Sequence, residues 1–535
     1  MSMAPTAEHG SADTNRPLLL LLLLLLIPSS SSSSSSSVAP PLPILPLPNA
    51  FQLQWHLSQM SLFFHFGLNT FTGDEWGSGH VHPTLFNPTN LNATQWIQLA
   101  KVNGFNRVIL TAKHHDGFCL WPSQYTNYSV RSSPWRHGTG DVLADLASAA
   151  TVAGVDLGIY LSPWDRHEHC YGDTLLYNQF YLAQMTELLT RYGEIKDVFL
   201  DGAKGEGEKD MSYFFNTWFS LIHQLQPPAI IFSDAGPDTR WVGNELGIGG
   251  STSWSVYNST VTPIGGIYND PRYAAEGDPA GHEWVPALCD VSIRPGWFWH
   301  PEELPKSAMD LLEIYYKSVG RNCHLLLNVP PNPSGLISPE DVQVLQEFTE
   351  LRTSIFSNNF IINALLDASS TRGGGTSDDS DSQFSPYNVL KEGLYTYWAP
   401  EEYQSRWILY IDLQELVSFN VLQLQEPIQM GQRVSEFHLE ALHQDGVWKR
   451  VTNGTTIGYQ RLLLFPKVKS QHLKLVIDKS RADPLISYLG IYMDPVTNWS
   501  SIDDDTVLTS HFNASQVHHI ITHDNSHAAT ATASM

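Results

Sequence analysis

Cysteine is scarce in this chain: four residues in 535, at positions 119, 170, 289 and 323. Their spacings fit no zinc motif. They allow one or two disulfides, and the spacing leaves the pairing open. Basic residues are also few, 30 against 54 acidic ones, for a formal charge of -24. That balance disfavours nucleic acid and anionic membrane surfaces as partners and suits a neutral substrate. No glycine-rich nucleotide loop follows an early strand, which counts against an open doubly wound sheet. No His-x-His pair closes the first strand-like run, which counts against a metal-dependent hydrolase. Beyond the N-terminus, no stretch is long and apolar enough for a membrane helix.

What is present reads as a globular protein. Apolar residues make up 42% and aromatic residues 11%, and the length calls for two domains or more. Residues 1–39 read as a targeting leader. Arg16 precedes Leu18 to Leu26 and Ile27, an apolar run of signal-peptide length, and Ser29 to Ser37 form a spacer. A leader gives meaning to the glycosylation sequons at Asn92, Asn127, Asn258, Asn453, Asn498 and Asn513. After signal cleavage no membrane attachment is expected.

From 50 to 352, short apolar runs alternate with helical patterns such as Leu143–Ala150 and Met185–Thr190. A (β/α) barrel of the TIM type is the expected fold. From 353 to 498 the pattern shifts. Asp367 to Ser382 reads as a loop, and short alternating segments such as Phe437/Leu439/Ala441 follow it. They predict an antiparallel β-sandwich, with Tyr397-Trp398 in its core. Residues 499–535 are polar and read as a disordered tail, whose five histidines only weakly suggest metal binding.

The chemistry sits where strands end. The run Asp197-Val198-Phe199-Leu200 delivers Asp201, followed at once by Gly202. β/α folds place their working residues at this edge, although Asp-Gly can also be a plain turn. Leu62-Phe63-Phe64 leads to His65, Arg107 to Lys113 leads to His114 and His115, and Leu157 to Leu161 carries Tyr160. Glu245, on a loop with Trp241 and Gly243, is a candidate acid because apolar walls raise a carboxyl pKa; the alternative is a solvated loop glutamate. Glu75-Trp76 form a third group, suited to sugar hydroxyls or to a surface charge beside a packed indole. As metal ligands, His114 and His115 are disfavoured, because neighbours on a continuing strand point apart.

These motifs together, with Asp290-Val291-Ser292-Ile293-Arg294-Pro295-Gly296-Trp297-Phe298 and Leu327-Asn328-Val329-Pro330-Pro331-Asn332, resemble glycoside hydrolase family 29, the α-L-fucosidases. Within it, the chain is similar to secreted plant enzymes acting on 1,3- and 1,4-linked fucose. The resemblance implies a retaining exo-hydrolase working on Lewis-type N-glycan epitopes and other fucosylated oligosaccharides or glycoproteins, in the apoplast or cell wall, without metal or other cofactor. It makes Asp201 the nucleophile and Glu245 the acid/base. It places His65, Glu75, Trp76, His114, His115 and Tyr160 around the fucose and Trp297 beside its methyl group. The C-terminal sandwich resembles galactose-binding-like modules.

Two positions depart from the family pattern. Leu288 stands where an acid is usual, so one polar contact near the site is expected to be missing. Phe199 stands where tryptophan is common. The leucine motivates an alternative reading, a lectin-like fucose-binding protein with weakened catalysis.

Overall fold

The computed structural model describes residues 38–202, 204, 207–261, 270–374, 382–503, 506 and 510. Eight strands close a parallel barrel in chain order: β1 Met60–Phe64, β2 Arg107–Lys113, β3 Asp156–Leu161, β4 Asp197–Phe199, β5 Ile230–Ser233, β6 Thr239–Trp241, β7 Ala287–Ser292 and β8 His324–Asn328. The last pairs with the first, Phe63 opposite Asn328. The expected barrel is therefore the observed one.

Most barrel strands are apolar runs because both faces are covered. One face fills the lumen: Phe63, Ile109, Tyr160, Phe199, Phe232, Leu288 and Leu326 form one cluster with Trp55, which is carried by the helix Ala50–Ser58. The other face packs against the surrounding helices. The helix Val142–Ala153 is typical of these, with Asp141 capping its start through a 2.9 Å bond from the Ala144 N–H and Gly154 ending it at φ 67°.

Strict β/α alternation fails once. β5 and β6 are separated only by residues 234–238, without a helix. β6 escapes a hydrophobicity reading because its central residue is Arg240. That guanidinium is buried and donates to the backbone carbonyls of Ala274, Trp254 and Val285, which satisfies a charge that would otherwise forbid the position.

Cys289 and Cys323 form a disulfide joining β7 to the residue before β8, while Cys119 and Cys170 are free. The C-terminal part is antiparallel. Its strands are β9 Leu365–Ala368, β10 Trp407–Gln425, β11 Val434–Leu442, β12 Trp448–Gly454, β13 Arg461–Ser480 and β14 Tyr488–Tyr492. The two long strands break register between Asp412 and Val417, so one half pairs with β9 and β11 and the other with β14. Both halves share one core that includes Leu409, Ile411, Leu422, Leu475 and Ile491, with Trp398 fully buried in it.

Two sequence expectations shift here. Asp367 and Ala368 lie in β9 and not in a loop. A short helix, Trp499–Asp503, stands where the tail was expected to start; Ile502 is buried in it and its carbonyl accepts from Arg321 at 2.8 Å. Asn513 and the tail histidines beyond 510 lie outside the described residues.

Leu288 belongs to the lumen cluster at 3% exposure. It sits opposite His324 in register, below the rim. The missing acid is thus a change in the barrel interior and not in the cleft wall. Leu288→Ala should lower stability by about 2–5 kcal/mol through the cavity it leaves, read as a fall in the denaturation midpoint; a shift below ~1 kcal/mol would show that the lumen collapses around the smaller side chain.

Candidate active site

The C-terminal ends of the strands bring the predicted residues into one cleft. Asp201 lies two residues beyond β4. Its neighbour must be glycine, because a Cβ on Gly202 would fall 2.2 Å from the Asp234 carboxylate. From β3, the Tyr160 hydroxyl donates to Asp201 Oδ2 at 2.9 Å, and His115 Nε2 stands 3.8 Å from the same oxygen.

β2 ends at Lys113, so His114 and His115 are not strand neighbours. Their rings lie 4.1 Å apart instead of pointing away from each other, which corrects that part of the sequence reading. The His114 ring stacks on Tyr160 at 5.5 Å and 14°. His65, one residue past β1, packs 5.5 Å from His114 and 5.1 Å from the Trp297 indole.

Hydrogen bonding fixes two tautomers. The Ser162 hydroxyl donates to the Trp164 carbonyl at 2.6 Å, so its oxygen accepts from His115 Nδ1 at 2.7 Å. His115 Nδ1 therefore carries the proton, and Nε2 points its lone pair toward Asp201. The Asn328 amide donates to the Trp297 carbonyl at 2.7 Å, which orients its Oδ1 to accept from the His65 backbone N–H at 3.3 Å and from His65 Nδ1 at 2.9 Å. His65 Nε2 is then an acceptor as well. Burial keeps all three rings neutral. The His65 pKa falls to about 3, chiefly by desolvation and despite the Asn328 bond; that of His114 falls well below the usual value for the same first reason; and that of His115 is lowered by burial even though Asp201 pulls it up. Neutral rings showing acceptor nitrogens suit hydroxyl donors. Among the described residues, no group of three or more His, Cys, Asp or Glu is arranged to hold a metal ion.

Glu75 also braces the cleft. Its Oε2 accepts from the Trp297 N–H at 2.8 Å, and its Oε1 from the Phe298 N–H at 3.3 Å and His300 Nε2 at 2.8 Å. It anchors the loop that carries Trp297. Gly296 permits this, since a Cβ there would approach Glu75 Oε1 to 2.6 Å. Trp76 is 48% exposed at the rim and meets His115 and Trp164 edge-on.

The Trp297 indole N–H donates to Glu245 Oε2 at 3.3 Å. Glu245 is exposed as a residue, yet protein crowds its carboxyl on the cleft side. Lost solvation first, then the charge of Asp201 and last that of Glu75 push its pKa up, against the Trp297 bond. The cleft thus holds two carboxyls, Asp201 oriented by a tyrosine and Glu245 biased toward its acid form.

Asn328, Asp290, Trp241 and Ser162 also belong to the cleft, although sequence reasoning did not single them out. Asn328 was open to discovery by the rule that found Asp201, since it too ends a buried apolar strand.

Comparison with known proteins gives one answer. Residues 51–351 match the family described as alpha-L-fucosidase. The chain is 65% identical to Alpha-L-fucosidase 1 of Arabidopsis thaliana over 456 residues, covering 85% of this chain and 89% of that protein. It is 30% identical to Plasma alpha-L-fucosidase of Homo sapiens over 278 residues, 48% of this chain and 52% of that one. Among solved structures, a Ruminococcus gnavus GH29 fucosidase in complex with fucose superposes with a TM-score of 0.79 at 31% identity, covering 87% of this chain and 98% of the other.

The Trp297–Glu245 bond can be tested directly. Trp297→Phe keeps the ring and removes the donor, so the Glu245 pKa should rise further. The midpoint of the Glu245 carboxylate band in an infrared pH titration, assigned against Glu245→Gln, checks this; a midpoint that falls would mean that Trp297 acts mainly by excluding water.

Proposed function

The chain belongs to the α-L-fucosidase family, glycoside hydrolase family 29, and from that premise we propose that it is a retaining exo-enzyme releasing 1,3- and 1,4-linked fucose from Lewis-type epitopes. Asp201 is its nucleophile and Glu245 its acid/base. The observation carrying this reading is the contrast between the two carboxyls: Asp201 is held by the Tyr160 hydroxyl, and Glu245 is biased toward protonation by burial and by Asp201 itself.

In the first step an Asp201 carboxylate oxygen attacks C1 of fucose. Glu245 gives its proton to the glycosidic oxygen, and the remaining sugar leaves. Retention requires the two carboxyls to stand only about 5–5.5 Å apart. Once Asp201 is an ester it has no charge. The repulsion that raised the Glu245 pKa is then relieved, so Glu245 becomes a better base just when a water must be deprotonated. That water attacks C1 and frees Asp201. His65 and His115, neutral and showing acceptor nitrogens, take the fucose hydroxyls, while His114, Tyr160 and Trp76 supply ring surface. Trp297 orients Glu245 as well as walling the cleft.

The leader and the sequons support secretion to the apoplast or cell wall as a glycoprotein. Asn92, Asn127, Asn453 and Asn498 are exposed and Asn258 is half-buried.

Four outcomes test the reading. Asp201→Ala should abolish turnover in a folded protein; an active variant would refute the mechanism. Glu245→Ala should lose roughly 10²–10⁴-fold on natural glycans and much less on fucosides with good leaving groups; equal losses would reassign the acid. kcat/KM should fall as pH rises through the elevated Glu245 pKa, because only the protonated form donates. Finally, release from 1,3- and 1,4-linked but not 1,2-linked trisaccharides would establish the linkage, and binding of all three without release would favour the lectin-like alternative.

A further inference from the structure

Double displacement leaves one carboxyl of the cleft without a task. Asp290 lies on β7, where Leu288 faces the lumen and Cys289 and Val291 pack outside it. By strand alternation Asp290 therefore faces the lumen, one step above Leu288 and toward the rim. The residue is 7% exposed. Its Oδ1 accepts the Trp241 indole N–H at 2.9 Å. No other residue hydrogen-bonds its Oδ2 among the described residues.

The same residue supports the loop of the acid/base. The Gly247 N–H donates to the Asp290 carbonyl at 3.1 Å, and Leu246 bridges to Val291. Asp290 is thus fixed beside Glu245 and within electrostatic reach of Asp201. Burial first, then Glu245 and, more weakly, Asp201 disfavour its ionised form. A third negative charge here would oppose a nucleophile that must itself be anionic. A neutral carboxyl adds no charge and gains a donor. With Oδ1 committed to Trp241, the proton belongs on Oδ2.

We infer that Asp290 is a substrate-binding residue, whose Oδ2–H donates a hydrogen bond to an oxygen of the fucose held between Asp201 and Glu245. This rests on the reading of those two carboxyls as the working pair. The other cleft groups identified above, His65 and His115, offer acceptors, so Asp290 supplies the complementary donor. The pattern also explains why a buried acid persists where a small apolar residue would fill the space: such a residue would strand the Trp241 N–H.

The test is the affinity for L-fucose, which needs no turnover, measured as a competitive inhibition constant and by calorimetry. Asp290→Ala should weaken it about tenfold and lower kcat/KM by roughly 10–100-fold, in line with a lost hydrogen bond in a buried site. Asp290→Asn, isosteric and uncharged, still accepts from Trp241 and offers an N–H, so it should recover most of both. Trp241→Phe separates a structural role, because it breaks the Trp241 bond while leaving the Asp290 donor. Unaltered fucose affinity in folded Asp290→Ala overturns the inference. So does an Asp290→Asn protein as weak as Asp290→Ala, and that comparison decides the matter even if the alanine variant melts early. Asp201→Ala run in parallel keeps the two readings apart: retained turnover there would sink the double displacement, whereas the Asp290 result is read from binding.

Discussion

Asn328 stands where the last barrel strand closes on the first, and its carboxamide is the joint from which the cleft is assembled. Oδ1 receives both N–H groups of His65; Nδ2 serves the Trp297 carbonyl and, at 2.9 Å, Ser292 Oγ. One planar group thereby sets the tautomer of a histidine just past β1 and the seat of a tryptophan on the loop after β7. Through the indole N–H it reaches Glu245. A carboxamide suits this position because it presents acceptor and donors in one fixed plane, without the charge that burial would penalise. Glu75 secures the same loop from the opposite wall through Trp297, Phe298 and His300. Glu245 is therefore held indirectly, by a loop pinned at two points, while Asp201 is held directly by Tyr160.

Electrostatics follows from this arrangement. Glu75, Asp201, Glu245 and Asp290 crowd one cleft whose histidines are kept neutral by burial. Neutral rings cannot offset negative charge, so beyond burial the charges of Asp201 and Glu75 push the Glu245 pKa up, and those of Glu245 and Asp201 push up that of Asp290. That is an asset for a glycosidase only if their environments differ enough to separate the pKa values. They do differ: Glu75 is bonded to a backbone loop, Asp201 to a phenol, Glu245 to one indole at the rim and Asp290 to another in the lumen. The same chemical group thus takes four positions in the fold, and at two of them, Glu245 and Asp290, burial and neighbouring carboxylates raise its proton affinity.

Much of this was legible in the sequence. Buried parallel strands write themselves as apolar runs, and seven of the eight barrel strands were visible as such because both of their faces are covered. β6 was not, since its charge is satisfied by carbonyls distant in sequence. The strand-end rule located Asp201, His65 and the histidine pair. It could not show that β2 stops at Lys113, which brings His114 and His115 together. Nor could it tell that the Glu75 carboxylate also braces a loop 222 residues away. Contacts of that range have no local signature. Asp290 was quoted for its motif and passed over for its chemistry, because alternation into a lumen is apparent only once the barrel is closed.

The one departure that cast doubt on catalysis, Leu288, reads differently in three dimensions. It fills the lumen beneath Asp290, opposite His324 in register. His324 stacks on Trp55 at 4.2 Å and its Nε2 bonds the Ser61 hydroxyl at 2.7 Å, so the ring stays fixed. Burial holds its pKa well below the usual range, so no unpaired charge results. Leucine packs there with the lumen cluster, so its contribution falls on stability, one layer below the cleft side chains. A lost acid at this depth gives no ground for treating the cleft as a binding site alone.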